Sequence, residues 1–455
     1  MTAGRARRVF LTVIALRWLS MGFTTPLLVV FLQSRGVGLA GVGVFFAVWG
    51  VTVATLELPT GGLADAIGRR TVLAAAAALD VVFFGGMLVA GHQGQFVALA
   101  VVGAVARALS SGALEAWYVD AALAADPAAD IRRGLAGAGV VESAGLAVGA
   151  ISGGLLPHLL PTVTARTGLT PLSLPYAVAL GAAVVHLVVL LAIVTEHRTA
   201  RGRAALLRGL ADVPRVVRTG VGIAATDRVV RRLLLSMTAV GVGLIAVEAL
   251  WQPRVAELVG GAAGNTQVFG FTLAGVFAAS ALGSALAPRC AMLLRGRTGV
   301  ACLVGRALQS LALLGFAASP RLLPAVTAFA SCYFLLGIVG PLHAELLHRS
   351  VGSAQRSTIL SADSLAVQVG GLAGSITLPA LAAGRGIPLA WAVAAGVLAV
   401  SALCYAGLRT PADFITSGHS TRPAGTDGER DSNGSARQGD DHADLGGDVP
   451  AHPRP

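Results

Sequence analysis

The chain has no lysine: its 34 basic residues are all arginine. A phosphate-cradling loop built on Gly-Lys-Ser/Thr is therefore impossible, which argues against an ATP-driven pump. Charge of either sign is scarce as well, at 13% of residues, about half of what a soluble domain carries. Cysteine is limited to Cys290, Cys302, Cys332 and Cys404. They are widely spaced and form no C-x-x-C pair, so neither a metal site nor a disulfide framework is expected. They read as small core residues. No hydrolase or transferase constellation stands out, and a bond-making enzyme is not expected.

Apolar sequence takes the place of charge. Hydrophobic residues make up 55% of the chain and the mean hydropathy is +0.74. Twelve apolar runs, each of about 20 residues and long enough to cross a bilayer, predict helices over 9–32, 41–62, 72–91, 96–120, 134–157, 173–194, 233–256, 266–288, 298–318, 322–346, 357–382 and 388–408. The first run is too long for a secretory signal. The expected class is an all-α integral membrane protein with twelve transmembrane helices in two six-helix bundles around a central cavity. Residues 1–194 form the first bundle and 233–408 the second. An arginine-rich cytoplasmic linker over 195–232 joins them, and the Gly-, Asp- and Ser-rich tail, 409–455, is expected to be disordered.

Arginine placement gives the orientation. With the amino terminus inside, 26 of the 34 arginines fall in cytoplasmic segments, five in outer loops and three inside helices. Positive charge resists translocation, so the rich side is cytoplasmic. Both termini then lie in the cytoplasm and the chain crosses the cell membrane an even number of times. The net charge of +11 is explained this way, and a nucleic-acid partner is not expected.

Between the second and third runs stands Gly61-Gly62-Leu63-Ala64-Asp65-Ala66-Ile67-Gly68-Arg69-Arg70. It resembles the loop between helices 2 and 3 of the major facilitator superfamily, G-x-L-A-D-R-x-G-R-R/K. Ala66 stands where the family usually has a basic residue. The resemblance implies alternating access between two bundles. It also implies an inner gating loop made of Gly61, Leu63, Asp65, Gly68, Arg69 and Arg70. Gly283-Ser284-Ala285-Leu286-Ala287 is a weak echo without the aspartate, so gating should rest on the first half. Gly112-Ala113-Leu114-Glu115-Ala116 likewise echoes Gly340-Pro341-Leu342-His343-Ala344, consistent with a parallel repeat.

In helix 5, Gly145, Gly149 and Gly153 recur every four residues and are followed by Gly154, a smooth face for close helix packing. This resembles the G-x-x-x-G-P-x-x-G-G motif of drug–proton antiporters, with Ala150 in place of the proline. Arg107, followed by Ser110 and Gly112 in helix 4, resembles the same branch's R-x-x-Q-G.

Charges inside apolar runs are costly and need partners or water. Arg17, Asp80 and Glu142 fall near one depth, with Arg107 and Glu115 close by. They are expected to form a buried polar network, whose role is either proton coupling or a structural set of ion pairs. Asp80 and Glu142 are the candidate proton carriers. Glu57 and Asp120 lie near the inner face and suit structural pairing with the Asp65 loop. Trp18, Glu248 and Trp251 are candidates for the substrate cavity. His343 and Glu345, near the inner end of helix 10, are too few for a metal site and read as boundary residues.

These observations predict a secondary active transporter, monomeric in the lipid bilayer. It would export a small amphipathic molecule or drug against protons, with the proton gradient as its energy source and no cofactor. A major facilitator permease for a metabolite is the first alternative; a non-transporting membrane sensor or assembly protein is the second.

Overall fold

The computed structural model describes residues 2–127, 129–195, 222, 225–294, 297–351 and 356–408, without the side chains of 57–66, 356–358 and 361. The expected linker is covered only at its edges, and the expected disordered tail lies outside the described residues. Among the described residues there are helices and no strand. Twelve helices are long and apolar enough to cross a membrane. They are α1 (Ala3–Ser34), α2 (Leu39–Ile67), α3 (Arg69–Val89), α4 (Gln93–Ala125), α5 (Ile131–Leu159), α6 (Leu174–Ile193), α7 (Arg228–Val259), α8 (Thr266–Leu293), α9 (Thr298–Ala318), α10 (Leu322–Ser350), α11 (Arg356–Arg385) and α12 (Ile387–Ala402).

Packing repeats with a period of six helices. In the amino-terminal half α1 lies against α5 and α6, α2 against α4, and α3 against α4 and α6. In the carboxyl-terminal half α7 lies against α11 and α12, α8 against α10, and α9 against α10 and α12. The two halves meet through α5 with α8 and α2 with α11, a pair of contacts that the same repeat interchanges. This is the parallel repeat that the sequence shows only faintly.

Small residues make the close approaches. A Cβ on Gly149 would sit 2.6 Å from the Leu19 carbonyl oxygen and 2.7 Å from Gly22 Cα. Any larger residue would push α5 off α1. Gly145 and Gly153 extend that seam along α1, against Trp18 and Phe23. Gly154 instead faces the other half, and a Cβ there would lie 2.8 Å from the Thr266 carbonyl oxygen. The helix 5 glycines therefore serve two interfaces.

Two spans are broken, for identifiable reasons. Pro26 interrupts α1 with a 3-10 turn at Thr25–Leu27, because proline has no N–H for the helical ladder. In α4 the first segment ends at Ser110 and a second starts at Ala113, across Ser111 and Gly112. Gly112 has φ of 70°, a conformation glycine adopts without steric cost. The apolar run over 96–120 predicts a continuous helix, and the break at Ser111–Gly112 is where the structure differs.

The Gly61–Arg70 segment also differs from the expected hairpin. Residues 61–67 continue α2, and the turn is confined to Gly68 with φ of 99° before α3 begins at Arg69. Nothing in Gly-Gly-Leu-Ala-Asp-Ala-Ile breaks a helix strongly enough to end it sooner.

Candidate functional site

Five helices of the amino-terminal half enclose a cavity of about 240 Å³. α1 contributes Phe10, Arg17 and Trp18; α4 contributes Arg107, Ser110 and Glu115 around its break; α5 contributes Glu142 and α6 His186. The break in α4 turns both ends of its segments towards this space, so Ser111 and Gly112 line it too. Unwound backbone inside a membrane is tolerated where it borders protein or water.

Charge in the cavity is graded by burial. Asp80 is 2% exposed, and its Oδ2 accepts from Arg17 Nε at 3.3 Å across α1 and α3. The other oxygen, Oδ1, is buried with no hydrogen-bond partner. Removing Arg17 would leave a wholly unpaired carboxylate in the core. Arg107 is exposed to the cavity, and its guanidinium lies 5.6 Å from the centre of the Trp18 ring, within cation–π range. Glu115 is exposed and Glu142 half-buried. The structure thus brings Arg17, Trp18, Arg107, Glu115 and Glu142 around one space, with Asp80 behind Arg17.

His186 was not foreseen. It is 3% exposed, lines the cavity, and its Nε2 has no partner. The signal was present, since it is a lone imidazole in the otherwise apolar run 173–194.

Of the two proposed cavity residues on α7, only Glu248 is accessible. It is exposed between buried Val247 and Ala249. It lies one turn beyond Leu244, which with Tyr333 and Leu336 of α10 borders a smaller space. Trp251 is in the core, corrected from the cavity expectation. It is 4% exposed and packs on Phe269 and Phe329, with centroids 6.0 and 5.8 Å away. An indole midway between three helices has more apolar area to bury there than at a cavity wall.

At the end of the molecule that carries the amino terminus, Arg69 forms an ion pair with Asp120 at the end of α4. Arg70 Nη2 donates to the Leu191 carbonyl of α6 at 2.7 Å. The Gly68 turn is thereby tied to two neighbouring helices. The side chains of Glu57, Leu63 and Asp65, and the packing around Gly61, lie outside the described residues.

Contacts between the halves gather at the opposite, far end. Gln252 of α7 is 2% exposed and reaches into the broken turn of α1. Its Oε1 accepts from Val29 N at 2.8 Å and its Nε2 donates to the Thr25 carbonyl at 3.1 Å. Helix-terminal N–H groups otherwise left orphaned are satisfied from the other half. Thr266 Oγ1 donates to the Gly154 carbonyl at 2.7 Å, tying α8 to α5.

In the carboxyl-terminal half several polar groups are sealed. Arg306 is 1% exposed and donates to Gln309 Oε1 at 2.6 Å. His343, read as a boundary residue, is 3% exposed instead. Among the described residues no three His, Cys, Asp or Glu side chains converge on a metal site.

No protein-family model and no curated protein matches the sequence. Solved structures do match in shape. A mutant of the nucleoside transporter NupG superposes with a TM-score of 0.69 at 13% identity, covering 88% of this chain and 98% of that one. A bacterial homologue of the human lysosomal transporter Spinster, inward-facing and unoccupied, gives 0.69 at 13%, over 89% and 96%. The human organic anion transporter MFSD10 gives 0.57 at 17%, over 89% and 100%. With its twelve spans and six-helix packing repeat, the chain has the major facilitator fold that these transporters share.

Proposed function

We propose that the chain is a secondary active transporter in which the amino-terminal cavity binds a small solute and the two halves rock about it to give alternating access. The observation that carries this reading is the cavity itself: a water-accessible space containing Arg107, Glu115 and Glu142 inside a bundle of apolar helices. Such charges are costly in a membrane and are kept where they meet a solute or an ion. The transporters of the same fold support the class, and the far-end clustering of cross-half contacts suits a state open towards the amino-terminal side. With both termini cytoplasmic, as the arginine bias expects, that side is the cytoplasm.

Exchange with protons is the proposed energy source and Glu142 the proposed carrier. It is half-buried and borders the cavity beside both arginines. A carboxylate that can meet either solute or proton couples the two. The functional role of the Arg69 and Arg70 ties is to hold the start of α3 and the carboxyl-terminal ends of α4 and α6 as one body while the halves move.

The cargo has two readings. The helix 4 and helix 5 patterns favour efflux of amphipathic molecules or drugs. The cavity favours a small polar solute carrying both signs of charge, since two arginines and two glutamates border only about 240 Å³. Structural neighbours include transporters of nucleosides and peptides, in keeping with this second reading. Reconstitution into liposomes with an internal pH dye separates them. Proton flux evoked by fluorescent amphipathic cations supports the first, and flux evoked only by zwitterionic solutes the second. If no tested solute moves protons in the native chain, or if Glu142→Gln leaves solute-driven proton flux intact, the coupling proposed here is wrong.

A further inference from the structure

Nine-tenths or more of His343 and Tyr405 is buried in the carboxyl-terminal half, where they form a chain that the cavity does not use. His343 Nδ1 lies 2.8 Å from Tyr405 Oη, and its Nε2 lies 3.1 Å from Asp363 Oδ1. Three elements are joined through one imidazole: α10 by His343, α11 by Asp363, and the 3-10 turn that follows α12 by Tyr405. His343 and Tyr405 are 3% and 1% exposed, while the Asp363 side chain is 17% exposed. The carboxylate is thus the water-facing end and the phenol the sealed end.

With Asp363 ionised and the imidazole neutral, one arrangement leaves no bond unmade. With the proton on Nε2, the imidazole donates to Asp363, and Nδ1 accepts from the Tyr405 hydroxyl. If a second proton arrives on Nδ1, that nitrogen becomes a donor and the Tyr405 hydrogen must turn elsewhere. An acceptor is in place. Ser236 of α7 is 0% exposed and faces the Tyr405 phenol. Arg306 faces the same phenol from α9.

The remaining neighbours carry little competing charge. Cys302 of α9 and Cys290 of α8 pack in the surrounding cluster. Glu345 of α10 is paired with Arg349 at 2.7 Å. Arg232 of α7 is directed to the Leu403 and Ala406 carbonyls rather than to His343. Asp363 and Arg306 are therefore the charges that face the imidazole's chain.

We propose that Asp363, His343 and Tyr405 form a second protonation site, binding one proton within the carboxyl-terminal half and apart from the solute cavity. In the protonated state both ring nitrogens donate, Nε2–H to Asp363 and Nδ1–H to Tyr405 Oη, and the Tyr405 hydroxyl turns onto Ser236. That last step transmits the protonation state to α7. Through Gln252, α7 also holds the far-end contact with α1, so the site is wired to a contact between the halves. The inference rests on the transporter reading for its purpose but not for its test.

The test uses the full chain in lipid nanodiscs, without any solute. Histidine side chains are labelled for NMR, and the His343 signal is assigned by its loss in His343→Gln. Spin labels at Thr167 and Arg321 report the separation of the halves. The pH is scanned from about 8 to about 5, and the expected result is that the His343 signal and the spin-label distances change together, with the same midpoint. Asp363→Asn should displace both curves by the same amount. Tyr405→Phe, a milder change, should leave His343 titrating while the distances lose their pH dependence. A His343 signal that stays in one protonation state across this range overturns the proposal. So does a distance curve that is unchanged in Tyr405→Phe. Neither readout involves transport, so flat curves in a chain that still transports would refute this site alone.

Discussion

The two halves of this molecule repeat one helix packing scheme yet treat charge in opposite ways. In the amino-terminal half, Arg107, Glu115 and Glu142 face a water-accessible cavity. In the carboxyl-terminal half, Arg306, His343 and Tyr405 are sealed within helix contacts. Buried charge costs several kcal/mol per ion unless it is matched, so the sealed groups are few and chained to one another. Charge that meets water carries a lower cost. Under the proposed reading, solute recognition belongs to one half and the buried polar chain to the other, on backbones that would permit either.

The largest expected effect tests the paired charge at the boundary of these regimes. Arg17→Met should destabilise the chain by about 3–5 kcal/mol, the penalty of leaving the other partner of a buried pair uncompensated. Asp80 is at 2% exposure with one oxygen already orphaned. Denaturation in detergent micelles measures it. Adding Asp80→Leu should recover most of the loss; if it does not, the pair is not what holds α1 to α3.

Next comes the far-end contact. Gln252→Leu removes the partners of Val29 N and the Thr25 carbonyl, each costing about 1–3 kcal/mol when buried and unsatisfied. Because only the joined state has those bonds, the substitution should shift the population towards a far-end-open form, seen as a longer spin-label distance between the halves. An unchanged distance distribution would show that this contact does not bias the two states.

A smaller effect on stability, but a large one on flux, is expected for Glu142→Gln. A half-buried side chain of the same shape should change stability by less than about 1 kcal/mol, while proton-coupled flux falls at least about tenfold. Smallest of all is Arg69→Ala. Its partner Asp120 is 52% exposed, and such pairs contribute about 0–1 kcal/mol. A loss well above that in a melting experiment would mean the turn at Gly68 does more than tether helix ends.

Much of the fold was legible because a bilayer forces a simple code. Twelve apolar runs and an arginine bias suffice to count spans, and every predicted helix has its counterpart. Helix breaks were not legible in the same way. Gly112 is one glycine among 58, and only the backbone reveals that it, unlike Gly61 and Gly62, leaves the helical region. In the amino-terminal half, the charges around the cavity stood out because Arg17, Asp80, Arg107 and Glu142 interrupt apolar sequence. Trp251 was misread because an indole near a helix end suits a cavity wall, a membrane interface or a core equally well in sequence. His343 was read only as a boundary residue, and its link to Asp363 and Tyr405 escaped notice because 20 and 62 residues separate the bonded partners and no periodicity links them. His186 stood alone in an apolar run and could have been singled out.

The central claim is that the amino-terminal cavity is reached from both sides of the membrane in turn. Ser110 lines it and lies at the break in α4. In a chain whose four cysteines are replaced, Ser110→Cys can be probed with a membrane-impermeant maleimide from either face of sealed vesicles. The account predicts labelling from the amino-terminal side at rest. It also predicts labelling from the far side, at a rate raised by a solute that drives proton flux and lowered by excess unlabelled solute. Labelling confined to one face under every condition, or to neither, would contradict it.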